Sequence, residues 1–362
     1  NVMQAAELAA LIGSQSAQSN RNIVINGSTS VNQRGDSTGV TATGYHGPDR
    51  FQLLYTDAGT WSISQSSTAP EGFANSYKLD CTTAKSSLAS NSRLFVQTKF
   101  EGQSLQQLKK GTSNAVSTTL SFFVRSNKTG TYQVNLEDND NTRIIGATYT
   151  ISSANTFEHK KITFAGDTSG ALTDDNGDSL SIMWALVAGT DNSSGAVPTG
   201  WEAKSNTDRG AGLTVNLADS TDNEWYITGI QLEVGEQATP FEHRSFADEL
   251  ARCQRYFQNP INANNSAVSG GWRTSSQCQF GLPLVTSMRA SPSMTHKATT
   301  VHGLNGGTND NGTGCNINNS GTIQTSIWTA LTVAGTPGTS GEAVIVAGRN
   351  QTEDGIFLDA EL

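Results

Sequence analysis

The sequence predicts an all-β protein, and three observations support this fold class. Charged residues make up only 15% of the 362 residues, against about 25% in a typical domain. Helical surfaces are usually rich in Glu, Lys and Arg, whereas strand and loop surfaces can be polar without charge. Apolar residues also recur with a period of two over most of the chain, between clusters of Gly, Asn and Asp that are typical of turns.

The charge balance argues against two classes of partner. The net charge is −9 and no cluster of Lys and Arg occurs, so binding to nucleic-acid phosphates is not expected. No apolar run approaches the ~18–20 residues of a membrane span, so membrane insertion is not expected either.

Residues 1–20 are predicted to form a short N-terminal helix and a linker. Val2, Ala5, Leu8 and Ile12 recur at helical spacing before Gly13. A helix of this length is marginal in water by itself. We therefore expect it to serve attachment or oligomerisation against partner chains; docking on its own domain is the alternative.

Residues 21–244 are predicted to form a β-sandwich, most simply a jelly roll. Strand patterns include residues 120–124, 132–136 and 145–151, and residues 181–187 are apolar on nearly both faces, as in a central strand. Leu213, Val215 and Leu217 alternate like another strand. The last run is predicted to point four residues inward (Tyr226, Ile230, Leu232 and Val234) and four outward (Trp225, Ile227, Gln231 and Glu233).

The remaining chain is predicted to contain a linking helix over residues 245–260 and a second β-domain over residues 261–362. An apolar stripe runs through the helix from Phe246 to Phe257, and Asn259-Pro260 ends it. Residues 305–319 are predicted to be a Gly/Asn-rich hairpin or loop. The C-terminal domain has few large apolar side chains, so we expect it to complete its burial by oligomerisation.

The four cysteines do not have metal-site spacing. Cys81, Cys253, Cys278 and Cys315 form no C-x-x-C pair. Reduced, mostly buried thiols are expected, and spacing leaves a Cys278–Cys315 disulfide open.

Several motifs together resemble a module of tailed-phage virion proteins. They are residues 22–27 (NIVING), 31–35 (VNQRG), 47–51 (GPDRF), 119–125 (TLSFFVR), 227–235 (ITGIQLEVG), 238–244 (ATPFEHR), 249–257 (ELARCQRYF) and 358–362 (LDAEL). The resemblance covers about 340 residues. Over this length the chain is similar to tail or head fibre proteins with a jelly-roll, carbohydrate-binding-like module.

This resemblance implies a homotrimer on the virion surface, assembled in the host cytoplasm. It implies attachment to other virion proteins through the N-terminus and adhesion to a host surface polysaccharide. The chain departs from a complete fibre, since it has no long repetitive shaft and no recognisable docking adaptor.

Glycan binding requires aromatic faces together with amides, carboxylates or Arg. The predicted outward rows supply such side chains; the candidates are Phe123, Arg125, Gln133, Asn135, Trp225, Gln231 and Glu233. The alternative is that Phe123 and Trp225 pack under loops or in a subunit interface.

Two further motifs have both a structural and a chemical interpretation. Asp174, Asp175 and Asp178 lie in an oxygen-rich turn that could bind structural calcium or be a solvated turn; no cofactor is otherwise required. In the segment Phe241-Glu-His-Arg244, Glu242 and Arg244 are interpreted as an interdomain clasp that binds backbone or a neighbouring copy. An acid/base pair is the alternative.

The sequence therefore favours a non-enzymatic virion fibre protein, most simply a tail fibre that attaches to host glycan. A structural capsid decoration or head fibre is the first alternative. A polysaccharide depolymerase spike is the second, although no motif singles out the two carboxylates that it would need.

Overall fold

The computed structural model confirms the all-β prediction. It describes residues 20–262, 267–297, 299–303, 309–317, 326–333, 340, 343–348 and 355–362. The predicted N-terminal helix lies in residues 1–19, outside the described part. The chain divides into two units, Asn1–Ser245 and Phe246–Leu362.

Two antiparallel sheets form the first unit. Its strands are β1 (Ser37–Val40), β2 (Gly44–Tyr45), β3 (Gln52–Thr56), β4 (Thr60–Ser66), β5 (Ser76–Thr83), β6 (Arg93–Glu101), β7 (Thr118–Ser126), β8 (Gly130–Asp138), β9 (Arg143–Ile151), β10 (Glu158–Phe164), β11 (Asp178–Ala188), β12 (Glu202–Ala203) and β13 (Glu224–Val234). Its helical segments are α1 (Thr190–Ser193) and the 3-10 turns Gly102–Ser104, Gln106–Leu108, Asn206–Asp208 and Leu217–Asp219.

The strand order is that of a jelly-roll sandwich with repeated crossing between sheets. Sheet A has the order β1-β4-β5-β13-β7-β10, and sheet B has the order β12-β9-β8-β11-β6-β3-β2. The predicted central strand is β11, which pairs with β6 over almost its whole length and with β8 from Leu180 to Ala185. Side chains from both sheets, among them Trp61, Phe122 and Trp184, fill one shared core.

One predicted strand of this unit is absent. Residues 213–217 belong to no strand, and Leu217 instead begins a 3-10 turn that the Asn216 side chain caps by accepting from the Ala218 N–H. Leu213 packs on Met183 and Phe95, whereas Leu217 lies in the main core. The alternating pattern therefore arises from a loop that packs against two separate apolar clusters.

The second unit contains one helix and nine strands among its described residues. They are α2 (Phe246–Gln254), β14 (Phe257–Asn262), β15 (Ala267–Trp272), β16 (Gln277–Pro283), β17 (Ser293–Lys297), β18 (Thr299–Gly303), β19 (Asn309–Ile317), β20 (Ser326–Val333), β21 (Ala343–Gly348) and β22 (Gly355–Asp359). The order β14-β22-β17 forms a small sheet, and β15-β16-β20-β19-β18-β21 closes into a barrel.

The structure bears on two sequence predictions in this unit, and the predicted helix needs correction. The helix is shorter than predicted, because Phe257 already begins β14 and pairs with Asp359 of β22. The Gly/Asn-rich stretch contains β19, since the strands on either side satisfy its backbone hydrogen bonds and this outweighs its low strand propensity.

The barrel register also separates the two cysteines considered for a disulfide. Cys278 and Cys315 both lie opposite Leu331, on the two sides of β20. Two strand spacings amount to about 9–10 Å, beyond the ~7 Å Cα separation that a disulfide can bridge.

No helix in the described ranges has the length and apolar character needed to cross a membrane.

Candidate functional site

A bulge in β13 decides which side chains reach the outer face of sheet A. The pairing of β13 with β7 shifts register between Thr228 and Gln231, and Gly229 has a positive φ of 61°. Such an inserted residue reverses the inward and outward parity of the strand. Trp225 and Ile227 before the bulge therefore join Ile230 in the core. The predicted outward orientation of Trp225 is wrong, because this side chain is fully buried.

Five aromatic side chains form a continuous row on the outer face of sheet A. We call this row the aromatic strip; its members are His159, Phe123, Phe73, Phe241 and His243. The centroid distances are 4.3 Å for His159–Phe123, 5.5 Å for Phe123–Phe73 and 5.0 Å for Phe73–Phe241. His243 lies 5.2 Å from Phe73 and 4.9 Å from Phe241.

The missing side chain of Gly229 makes room for this strip. A Cβ atom at this position would lie 2.7 Å from Cζ of Phe73 and 2.9 Å from Cδ2 of Phe123. The bulge therefore both turns Trp225 inward and lets two phenyl rings lie over the strand.

The strip remains accessible along its length. The three phenylalanines are partly buried, and the two histidines are exposed. Although the His159 side chain is exposed, its neighbours partly desolvate the ring, which lowers its pKa below the ordinary value, and the nearby Lys161 lowers that pKa further. Aromatic rings offer apolar contact and imidazole nitrogens offer hydrogen bonds, so the strip can bind a ligand with both apolar and hydroxyl-bearing surfaces.

Gln231 and Glu233, both predicted glycan contacts, hold a covering segment instead. We call residues 235–244 the strap. Glu233 accepts hydrogen bonds from the Thr239 N–H (2.8 Å) and hydroxyl (2.6 Å), and Gln231 Oε1 accepts from the Glu242 N–H at 2.8 Å. Both side chains are buried. They thus position Phe241 and His243, which the strap carries.

The strap ends in a clasp with the first described residues of the unit. Glu242 accepts from the N–H groups of Asn20 (2.6 Å) and Asn22 (2.8 Å). Arg244 donates to the carbonyl oxygens of Asn22 and Val24. Glu242 and Arg244 bind backbone groups as predicted, but the prediction that they clasp two domains together is wrong, because their partners belong to the same unit.

Arg125 belongs to a charged cluster beside the strip. Its guanidinium lies 4.6 Å from the Tyr226 ring centroid and donates to Asn155. Tyr226 donates to Glu224 at 2.6 Å, and Lys78 pairs with Glu224 at 2.6 Å. Burial acts to raise the pKa of Glu224, but the hydrogen bonds from Lys78 and Tyr226 outweigh it and lower that pKa. Glu224 is therefore negatively charged near neutral pH and is already bound by Lys78 and Tyr226.

Gln133 and Asn135 lie on the other sheet, beneath a loop. Gln133 donates to the Asp208 carbonyl and accepts from the Gly212 N–H, and Asn135 donates to the Arg209 carbonyl. Both side chains are fully buried. They hold the loop on sheet B and do not join the strip.

Two of the three predicted calcium ligands, Asp175 and Asp178, interact with groups of the protein. Asp178 pairs with Lys99 at 2.9 Å, and Asp175 accepts from the Gly177 N–H at 2.7 Å. Over the described ranges, no group of three or more His, Cys, Asp or Glu side chains could hold a metal ion.

Comparison with known proteins gives similarity only among solved structures. No family model matches the chain, and no curated protein matches it. The enzymatically active domain of bacteriophage CBA120 tailspike protein 4 is 10% identical, with a TM-score of 0.31 over 59% of this chain. The chain spans only 22% of that tailspike chain.

Two further solved structures are similar over a comparable part of the chain. A sugar-binding protein from Bacteroides thetaiotaomicron VPI-5482 is 11% identical over 59% of this chain and 100% of its own, with a TM-score of 0.33. The C-terminal family 22 carbohydrate-binding module of Clostridium thermocellum Xyn10B is 12% identical over 55% of this chain and 99% of its own, with a TM-score of 0.28.

Proposed function

We propose that this chain is a phage virion fibre protein that attaches to host surface glycan through the aromatic strip. The observation that carries the proposal is the row of five adjoining rings on an open sheet face. Sugar rings present apolar C–H faces and hydroxyl edges, which match stacked aromatics bordered by imidazoles.

Three carboxylates near this face are already bound by other groups of the protein, which supports ligand binding without cleavage. Glycoside hydrolysis requires two carboxyl groups free to act as acid and as base or nucleophile. Glu224 is paired with Lys78, Glu233 with Thr239, and Glu242 with backbone N–H groups. We therefore propose a role in adhesion, as the sequence motifs also imply.

Assembly as a homotrimer would strengthen such attachment. Three linked copies raise avidity without adding contacts to any one site. The second unit is the proposed oligomerisation domain, and its described residues leave Phe246 and Val285 with 59% and 75% of their surface exposed.

Binding to an array of purified bacterial surface polysaccharides tests the proposal. Phe123→Ala and Phe241→Ala should each weaken binding about tenfold or more, as expected for central aromatic contacts. Tyr45→Ala, which removes a partly buried aromatic ring on β2 of the other sheet, is the matched control and should bind like the wild type.

The same experiment separates the alternative functions. Retained binding in both strip variants would refute the assignment of the strip, and absence of binding by the wild-type trimer would favour a structural decoration protein. Release of reducing ends from a bound polysaccharide would instead favour a depolymerase. Sedimentation analysis of the intact protein measures the number of copies.

A further inference from the structure

Two of the five rings of the aromatic strip lie on a segment that contacts residues 20–24. Phe241 and His243 lie on the strap, and the strap side chains between and after them, Glu242 and Arg244, bind the backbone of this first segment. Arg21 adds a hydrogen bond to the Pro240 carbonyl at 2.6 Å. The two rings are therefore bracketed by contacts with a segment distant in sequence.

The same segment is also attached to the bulged strand below the strip. The Ile23 N–H donates to the Leu232 carbonyl at 2.9 Å, and the Ile230 N–H donates to the Gly27 carbonyl at 2.9 Å. A side chain at Gly27 could not be accommodated, because its Cβ would lie 2.1 Å from the Ile230 oxygen. Residues 20–27 thus contact both β13, which lies beneath the strip, and the strap, which borders it.

We infer that docking of residues 20–24 regulates ligand binding, because the strip is complete only while the clasp is closed. The inference rests on the proposed glycan-binding function of the strip. A ligand that contacts Phe241 and His243 stabilises the strap in its position on the sheet. Residues 20–24 stabilise the strap in the same position. Two events that favour the same arrangement of one element are coupled, and each must strengthen the other equally.

The clasp is the part of this arrangement most easily opened. Its bonds involve exposed or partly buried groups, whereas Gln231 and Glu233 on the sheet side are buried. Release of residues 20–24 would act first on the Glu242 and Arg244 contacts. The fold therefore links the docking of this segment with the affinity of the ligand face.

Hydrogen exchange and glycan binding of the full-length chain together test this coupling. Glu242→Gln removes the charge that accepts two backbone N–H groups and faces Arg244; Arg244→Gln tests the clasp from its other side. Glu158→Gln is the matched control, because Glu158 also accepts two backbone N–H groups, from Ser152 and Ser153, and pairs with Lys160.

The inference predicts faster amide exchange in residues 20–24 and 238–244 of both clasp variants, with the thermal midpoint of the sandwich nearly unchanged. Polysaccharide affinity should fall roughly fivefold or more, in the range of ordinary coupling between sites. Bound polysaccharide should in turn slow exchange at residues 20–24 of the wild type. The Glu158→Gln control should change neither quantity.

The outcomes distinguish this inference from the proposed function. If the wild type binds polysaccharide and the clasp variants bind equally well despite faster exchange, the coupling is refuted and the binding function stands. If the clasp variants show no local change in exchange, the strap is held without the clasp and the inference fails. If the wild type binds no polysaccharide, the proposed function fails, and the coupling to a ligand fails with it.

Discussion

The imidazole ring of His159 lies parallel to the phenyl ring of Phe123, with centroids 4.3 Å apart and 8° between the ring planes. The two residues are direct partners across β10 and β7. A cation above a phenyl face would be favoured, yet burial and the charge of Lys161 lower the pKa of His159. The neutral stacked pair is therefore the form favoured near neutral pH.

A titration of His159 by NMR should give a pKa below 6.5 in the folded protein. As pH falls, the unfolded chain takes up the proton before the folded protein does. The contribution of His159 to the free energy of unfolding is therefore complete above about pH 6.5 and decreases between that pH and the folded-state pKa. Lys161→Gln should raise the pKa of His159. Lys160→Gln, which removes a lysine paired with Glu158, is the control, and a folded-state pKa at or above 6.5 would contradict the prediction.

Gly229→Ala should destabilise the first unit and disturb the strip. The added methyl group would contact Phe73 and Phe123 too closely, in a backbone region where non-glycine residues are strained. Gly39→Ala isolates the backbone effect, since Gly39 has a similar φ of 68° with no atom within 4 Å of a Cβ. We expect a loss of about 1–3 kcal/mol for the control and a larger loss for Gly229→Ala, measured by urea unfolding.

Lys110→Met should be strongly destabilising, because Lys110 is the centre of a buried ion network. Its ammonium group contacts Asp138 and lies 2.9 Å from Asp167, and all three side chains are nearly inaccessible. The Trp201 ring lies over it, with 5.0 Å between the ammonium nitrogen and the ring centroid. Removing one partner of such a network costs about 3–5 kcal/mol.

The adjacent residue supplies the control for this measurement. Lys109 is exposed, so Lys109→Met should change the free energy of unfolding by no more than about 0.5 kcal/mol. Equal effects of the two substitutions would show that the network contributes no special stability.

Trp225→Ala should reduce stability and leave ligand binding intact. The side chain is fully buried in the core, and loss of a buried tryptophan costs about 3–5 kcal/mol. Phe123→Ala should have the opposite profile, with a smaller loss of stability and a larger loss of binding. Urea unfolding, together with polysaccharide binding by the folded fraction, distinguishes the two variants. A binding defect in the folded Trp225→Ala variant would contradict the prediction and indicate that Trp225 contributes to the binding site.

The motif of residues 22–27, near the start of the sandwich, has a structural role. Asn26 donates to the carbonyl oxygens of Val31 and Asp49 and accepts from the Val31 N–H. Asn22 binds the Ile230 carbonyl through its side chain. These asparagines satisfy backbone groups that the irregular first segment leaves without strand partners, so the motif specifies a docked segment.

Local patterns were sufficient to predict the all-β class, the central strand β11 and the burial of rows such as Leu120, Phe122 and Val124. They also placed Phe123 and Arg125 on an outward row, because strand parity follows directly from a period of two. They could not place Trp225, since the bulge at Gly229 reverses parity and a lone glycine does not reveal a bulge by itself.

The strip as a whole was decided only by the tertiary structure. Phe73 comes from a loop, His159 from an edge strand and Phe241 from the strap, and no spacing along the chain relates them. Burial patterns depend on neighbours a few residues apart, which a sequence displays directly. A surface assembled from four separate segments depends on sheet order and register, which arise from packing over the whole core.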